Sequence, residues 1–287
     1  MFRILIADGA PLASQLELEP FGAPTNQALF EAALRLHDPG AACTSINIAD
    51  GEALPPGIGL EDFDGVMFTG SPLHIYDTTP PVTRQIEFAR TVFETDVPVW
   101  GSCWGVQLGS VALGGSVRRN PHGRELGVAR RILLTDSGRS HPVLAGRPLA
   151  FDALCSHLDE VETLPPDGLV LASNEMSRVQ ALAAPTPGGG VFTATQYHPE
   201  HSLAVSAAII QIRAALLVRE GLGHDVPALL SLADDYRALD ADPGRYDLAW
   251  RYGLDATVLD PQRRTAEIGN WLRSVVAPRR ASLLKAA

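Results

Sequence analysis

Val97-Pro98-Val99-Trp100-Gly101-Ser102-Cys103-Trp104-Gly105-Val106-Gln107 is the stretch on which the reading of this chain turns. The short apolar run Val97–Trp100 reads as a strand, and the small-residue stretch Val106–Leu113 reads as a helix. Between them two glycines stand symmetrically about Cys103. A chain that passes from strand to helix through a Gly-x-nucleophile-x-Gly turn bends so sharply that the central side chain projects alone. The helix start behind it brings partial positive charge to the sulfur and favours thiolate over thiol. A single cysteine more often packs as a small hydrophobe. Here the paired glycines and the strand–helix setting favour a nucleophile.

Outward from this turn, short apolar runs alternate with helical patterns, which reads as α/β. Arg3–Ala7, Ala42–Ile48 and Val66–Thr69 are predicted strands, the third stopped sharply by Gly70-Ser71-Pro72. Asn26–Leu36 is a predicted helix with Thr25 as N-cap and with Leu29, Ala32, Ala33 and Leu36 on one face. Val82–Phe93 is another. From Gly127 to Gln196 shorter strands and turns follow, and then an apolar helix over Ala204–Val218. Beyond Gly221 the composition shifts to two amphipathic helices, Val226–Leu239 and Pro261–Val276. In the first, Leu229, Leu230 and Leu232 are expected to be buried; in the second, Ile268, Leu272 and Val276. The expected division is a catalytic domain over 1–220 and a helical C-terminal extension over 221–287.

Composition removes several classes of function. With 46% hydrophobic and 20% charged residues, the 287-residue chain is globular rather than disordered. A formal net charge of −10 argues against nucleic acid as a partner, since phosphates call for a basic surface. No apolar run approaches the ~20 residues of a membrane helix, so no membrane partner is expected. The 3 cysteines (Cys43, Cys103 and Cys155) are odd in number and far apart, which fits neither a disulfide framework nor a zinc spacing. The N-terminal apolar run is too short for a secretory signal, and the expected location is cytoplasmic. Lys285 is the only lysine, so there is none to follow the glycines of a P-loop or to form a Schiff base in a pocket. A self-contained nucleotide-driven synthetase is excluded.

A thiol nucleophile needs a base, and the base needs an orienting group. His198-Pro199-Glu200 follows the strand-like run Val191–Tyr197, and strand alternation allows His198 and Glu200 to face the same side. The competing reading, a metal held by His198 and His201, has no third ligand at a convincing spacing, so neither a metal nor a cofactor is expected. Gly57-Ile58-Gly59 lacks the strand–helix setting of a dinucleotide loop, and Arg118-Arg119 and Arg130-Arg131 read as solvated faces.

Three ordered motifs, Gly70-Ser71-Pro72, Gly101-Ser102-Cys103-Trp104-Gly105-Val106-Gln107 and Gln196-Tyr197-His198-Pro199-Glu200, together resemble the class I glutamine amidotransferases. Within them the chain is most similar to the glutaminase domain of GMP synthetase and its stand-alone relatives, over about residues 1–220. The resemblance implies an open, mostly parallel sheet with helices on both faces, of the flavodoxin-like three-layer kind. It implies hydrolysis of a γ-glutamyl amide through a glutamyl-thioester, with Cys103 as nucleophile, His198 as base and acid, and Glu200 as its orienter. The Trp104 N–H and one from the Gly70-Ser71 turn would form the oxyanion hole, and Gln107 would contact the glutamine head group. Ser156-His157-Leu158-Asp159 matches a Ser-His-Gly-Asp segment whose backbone holds the substrate's α-amino and α-carboxylate groups.

This chain departs from the family pattern in three places. Ser71 stands where most relatives have a second glycine before the proline, Trp104 is bulkier than usual and is expected to reshape the leaving-group side, and Leu158 replaces a glycine. His74 is expected near the site mouth. Two roles then compete. One is a stand-alone hydrolase of γ-glutamyl amines or peptides, with self-association as a homo-oligomer left open. The other is an ammonia-supplying glutaminase serving a separate synthetase chain. A non-catalytic regulatory or scaffold protein is the rival from another class, and the complete Cys–His–Glu pattern weighs against it.

Overall fold

The computed structural model describes residues 1–286. Strands β1 (Arg3–Asp8), β2 (Ala42–Asn47), β3 (Gly65–Phe68) and β4 (Val99–Ser102) lie parallel in the order β2-β1-β3-β4. β5 (Ser116–Arg119) leaves this layer to pair with β8 (Asp159–Thr163) in a separate antiparallel ribbon. β6 (Glu125–Leu134), β7 (Ala150–His157), β9 (Leu169–Ser173), β10 (Ala181–Pro185) and β11 (Val191–Thr195) complete a nine-stranded sheet, ordered β2-β1-β3-β4-β11-β10-β9-β6-β7. β11 returns beside β4 and parallel to it, while β10 and β6 run against the other seven strands. The sheet is therefore mixed but mostly of one direction, as expected.

The central strands are apolar on both faces because both faces are covered. Leu5, Val66, Phe68 and Val99 point to the side of the helices Pro80–Phe93 and Trp104–Ala112, packing with Val82, Phe93 and Val106. Their neighbours Ile4, Ile6, Met67 and Trp100 point the other way, onto Phe30 and Leu34 of the helix Asn26–His37 and onto Ile268 and Trp271 near the C-terminus. Thr25 caps the first of these helices, its hydroxyl accepting from the Ala28 N–H at 3.3 Å. The buried face is rotated from the expected one: Leu29, Phe30, Ala33 and Leu34 are inside, and Ala32 and Leu36 are exposed. The large Phe30 and Leu34, one helical turn apart, fill more of the core than the two residues they displace.

The C-terminal helices are built against the same body. The helix Val226–Ala241 lays Leu229, Ala233, Tyr236 and Leu239 on Ala207, Ile210 and Leu217 of the helix Leu203–Arg219. Leu230, expected on this face, is exposed, because it lies about 100° round the helix from Leu229. The single helix expected over Pro261–Val276 is interrupted at Thr265, whose backbone has φ −95° and ψ 14°. The Thr265 hydroxyl bonds the Pro261 carbonyl and meets His37 Nε2 at 2.8 Å. The chain resumes at Ala266–Trp271 and passes into a π-turn over Leu272–Val276, with Ile268, Leu272 and Val276 buried. No helix among the described residues is long and apolar enough to cross a membrane.

One buried polar contact ties this C-terminal segment to the strand region before His198. Arg147 grips Glu267 through two hydrogen bonds, Nε to Oε1 at 2.7 Å and Nη2 to Oε2 at 2.6 Å, and Tyr197 donates its hydroxyl to Oε1 at 2.6 Å. Burial works against the Arg147 charge, and the Glu267 carboxylate outweighs it, raising the guanidinium pKa further. A pair of this kind adds modest net stability against an apolar substitute, yet removing one member strands a buried charge. Glu267→Ala is expected to lose about 3–5 kcal/mol in urea unfolding. Tyr197→Phe, which removes a hydrogen bond to a charged group, is expected to lose about 1.5–3 kcal/mol. Equal stability of parent and Glu267→Ala would show that this contact does not hold the C-terminal helices.

Candidate active site

Four neighbouring parallel strands, β1, β3, β4 and β11, end at the same rim of the sheet, where open α/β sheets place their ligands. β3 delivers Gly70-Ser71, β4 delivers Cys103, and β11 leads through Gln196-Tyr197 to His198. At Cys103 the backbone adopts φ 53° and ψ −103°, a conformation that costs an L-residue on the order of 1–3 kcal/mol. It is held from both sides: the Cys103 N–H donates to the Thr195 carbonyl at 2.8 Å, and its own carbonyl accepts from Val106 at 3.0 Å as the helix begins. Both elbow glycines are required. A Cβ on Gly101 would lie 2.7 Å from the Gly105 carbonyl carbon, and one on Gly105 would lie 2.5 Å from the Phe68 carbonyl oxygen.

His198 is buried, and its Nδ1 meets Glu200 Oε1 at 2.7 Å. Burial disfavours the imidazolium, but the neighbouring Cys103 sulfur and the Glu200 carboxylate outweigh it and raise the His198 pKa to about 10. His201 stacks flat on His198, ring centroids 3.7 Å apart and planes within 8°. Burial and the positive neighbours His198 and Arg264 push the His201 pKa well below its usual value, so it is neutral. Folding thus supplies the third candidate metal ligand that spacing does not: His198, Glu200 and His201 bring ligand atoms within 4.8 Å of one another. The stack argues against a shared ion. In-plane lone pairs on parallel rings point side by side and do not converge on a metal about 2 Å from each nitrogen.

Two cavities meet at the sulfur. One, of about 200 Å³, is polar, with Gln107, Arg124, Asp159 and the main chain around Ser156–Leu158 in its wall. The other, of about 270 Å³, opens on the His198 side. Ser71, Pro72, Cys103, Ser156 and Arg213 border both. Gln107 donates to the Asp159 carbonyl at 3.2 Å and lies 3.4 Å from Gln196 Oε1. The His157 ring is turned inward, its two nitrogens 2.9 Å from Glu125 Oε2 and 3.0 Å from the Asp159 carbonyl. His74 and Tyr76 both engage the Asp159 carboxylate, at 2.6 and 3.0 Å, and His74 stands at the mouth as expected.

Gly70 approaches His198 so closely that a Cβ there would sit 2.8 Å from the imidazole Cε1. Its turn is pinned from behind: Asn26 Nδ2 donates to the Gly70 carbonyl and to Asp8 Oδ1, and Thr69 donates to the same Asp8 oxygen. The Trp104 N–H lies in the first turn of its helix, where main-chain donors have no intrahelical acceptor. The Trp104 side chain does not reshape the leaving-group side. It is fully buried, its indole N–H donating to Gln85 Oε1 at 2.8 Å, and it borders neither cavity.

Five residues of the site escape the sequence reading: Asp8, Asn26, Arg124, His201 as a stacking partner, and Arg213. Asp8 ends the first parallel strand, a position that itself points to the rim. Arg213 sits in the middle of an apolar helix, and that break in its pattern is the available signal. Its guanidinium reaches Ser156 Oγ at 3.5 Å, and burial, with Arg124 adding to it, lowers its pKa.

Known proteins fall in line with this architecture. Residues 38–212 match the family described as Glutamine amidotransferase class-I. A γ-glutamyl-L-1-hydroxyisopropylamide hydrolase from Pseudomonas sp is 33% identical over 283 residues, 96% of this chain and 94% of that protein. A GMP synthase [glutamine-hydrolyzing] from Leifsonia xyli is 32% identical over 202 residues, 68% of this chain and 37% of that protein. A glutamine amidotransferase structure from Thermotoga maritima shares the fold, with a TM-score of 0.64 at 17% identity over 94% of this chain and 98% of that one. With the family matched across more than half of its length and a relative aligned nearly end to end, the chain belongs to the class-I glutamine amidotransferase family.

Proposed function

We propose that this chain is a stand-alone hydrolase that cleaves a γ-glutamyl amide through a thioester on Cys103, with His198 and Glu200 completing a triad. The observation that carries the reading is the meeting at one sulfur of a strained strand–helix turn, the 2.7 Å His198–Glu200 contact and two separate cavities. The near end-to-end likeness to a protein named as a γ-glutamyl amide hydrolase supports it. The alternative, an ammonia-supplying glutaminase for a separate synthetase, has behind it the similarity to a GMP synthase, which spans 68% of this chain. Residues 221–287 are read as an extension of a catalytic unit made by 1–220.

In this mechanism the Cys103 thiolate attacks the γ-carbonyl carbon and a C–S bond forms. The oxyanion accepts from the Trp104 N–H and one N–H of the Gly70-Ser71 turn, each worth about 3 kcal/mol at the transition state. As the C–N bond breaks, imidazolium His198 gives its proton to the departing amine. Water then enters, His198 takes its proton, hydroxide attacks the thioester, and the C–S bond breaks to release glutamate and restore the thiolate. Glu200 holds the imidazole in the productive orientation throughout. In the polar cavity, Arg213 and Arg124 draw the α-carboxylate, and Gln107 with the main chain of Ser156-His157 position the glutamyl group.

Cys103→Ala is expected to lower kcat below about 10⁻⁴ of the parent, with substrate binding by calorimetry retained. A chloroketone analogue of glutamine at neutral pH is expected to label Cys103 alone. Burial pushes the Cys43 thiol up to about 11 and holds Cys155 well above the ordinary thiol value, leaving neither as thiolate. Turnover by Cys103→Ala, or mass-spectrometric label on another cysteine, contradicts the assignment.

His198→Ala is expected to cost on the order of 10–100-fold more in kcat than Glu200→Gln, because the imidazole moves the proton while the carboxylate only orients it. Equal losses in steady-state kinetics would contradict these separate roles.

The protonated form of His198 is the one that acts on the leaving amine, and its pKa is raised to about 10. Activity is therefore retained through neutral pH and lost as pH rises through about 10, which a kcat/KM profile reads as an alkaline limb. A limb near the ordinary histidine value of ~6.5 would show that His198 is not paired with the thiolate.

A further inference from the structure

The two cavities at Cys103 differ in chemistry, and the base separates them. His198 borders the larger cavity and not the smaller one, so the proton it delivers goes to an atom on the larger cavity's side. In an amide, that atom is the leaving nitrogen. Ammonia needs no such space, yet this cavity measures about 270 Å³, close to the lower bound of ordinary ligand pockets (about 300 Å³). Its inner wall is an apolar cluster of Leu29, Val205 and Ile209 backed by Leu18. Ile212, half-buried on the same helix as Ile209, continues the wall toward Arg213.

Part of the polar lining is already engaged. Gln15 Nε2 bonds Asp8 and the Ala10 carbonyl, its Oε1 accepts from the Asn26 N–H, and Asn26 Nδ2 bonds Asp8 and Gly70. Beside the polar groups of His201 and Arg213, the larger part of the surface left to a ligand is apolar.

We propose that the cavity walled by Leu18, Leu29, Val205, Ile209 and Ile212 is a pocket for the leaving amine, and that it selects γ-glutamyl amides of primary amines with an apolar carbon chain over glutamine. This rests on the hydrolase reading above and specifies the half of the substrate that reading leaves open. During acylation the C–N bond breaks with the nitrogen already inside the pocket, takes the His198 proton, and the neutral amine departs past the Leu18 wall while the glutamyl group remains on sulfur.

The test is a series on the full-length protein: glutamine and the γ-glutamyl methyl-, ethyl-, propyl- and butylamides, scored by glutamate release. Primary alkylamines differ little in basicity, so chain length probes contact rather than leaving ability. The expected kcat/KM rises by about fourfold per added methylene, the burial worth of one such group. Ile212→Trp, which narrows the cavity from the helix side, is expected to lower the butylamide-to-methylamide ratio of kcat/KM at least tenfold. Leu18→Trp, acting from a different segment of the chain, gives the same reading where Ile212→Trp fails to fold. Glutamate release with no rise along the series, or ratios that neither tryptophan changes, overturns the pocket and leaves the hydrolase standing. Release from no member of the series overturns both.

Discussion

Everything at this site hangs on the backbone of one residue. Cys103 is held at a positive φ that its side chain disfavours, and three neighbours enforce it: β11 through the Thr195 carbonyl, the helix behind through Val106, and Phe68 of β3 pressed against Gly105. The strain is sustainable only because β3, β4 and β11 are adjacent and parallel, so their ends arrive at one rim. The sharpness of the turn lifts the sulfur off the sheet toward His198, and it leaves room for cavities on either side of it.

The elbow also explains why the site is electrostatically self-contained. The raised pKa of His198 follows from having the Cys103 sulfur and the Glu200 carboxylate beside it, which together outweigh its burial. Neutral His201, stacked on its face, adds bulk and polarizability without adding charge. Arg213 sets a cation at the junction of the cavities.

Much of this is legible in the sequence because it is local. The Gly101–Gly105 spacing, the strand before it and the helix after it occupy adjacent residues, and His198 with Glu200 are two apart. What is not legible depends on distant parts of the chain meeting. Trp104 reads as an obstacle to the substrate, and only its bond to Gln85, from a different helix, turns it into the core. Asp8, Asn26 and Thr69 come from three separate elements to hold the Gly70 turn, and no spacing announces that. The buried face of Asn26–His37 departs from expectation for a related reason: periodicity gives a stripe, but the stripe that is buried depends on which strands lie beneath it. The break at Thr265 likewise answers to His37, far away in sequence.

The contact of Tyr197 and Arg147 with Glu267 also bears on the order in which the molecule matures. The residue that precedes His198 takes its anchor from a carboxylate made 70 positions later in synthesis. At a ribosomal pace of roughly 10 residues per second, several seconds separate the emergence of the histidine from that of its support. Through that interval Cys103 and His198 have been translated, while the buried bond that anchors Tyr197 beside His198 has yet to form. A chain still lacking Glu267 leaves Tyr197 without its partner, so the packing beside His198 is completed only after the helices beyond residue 221 have been made.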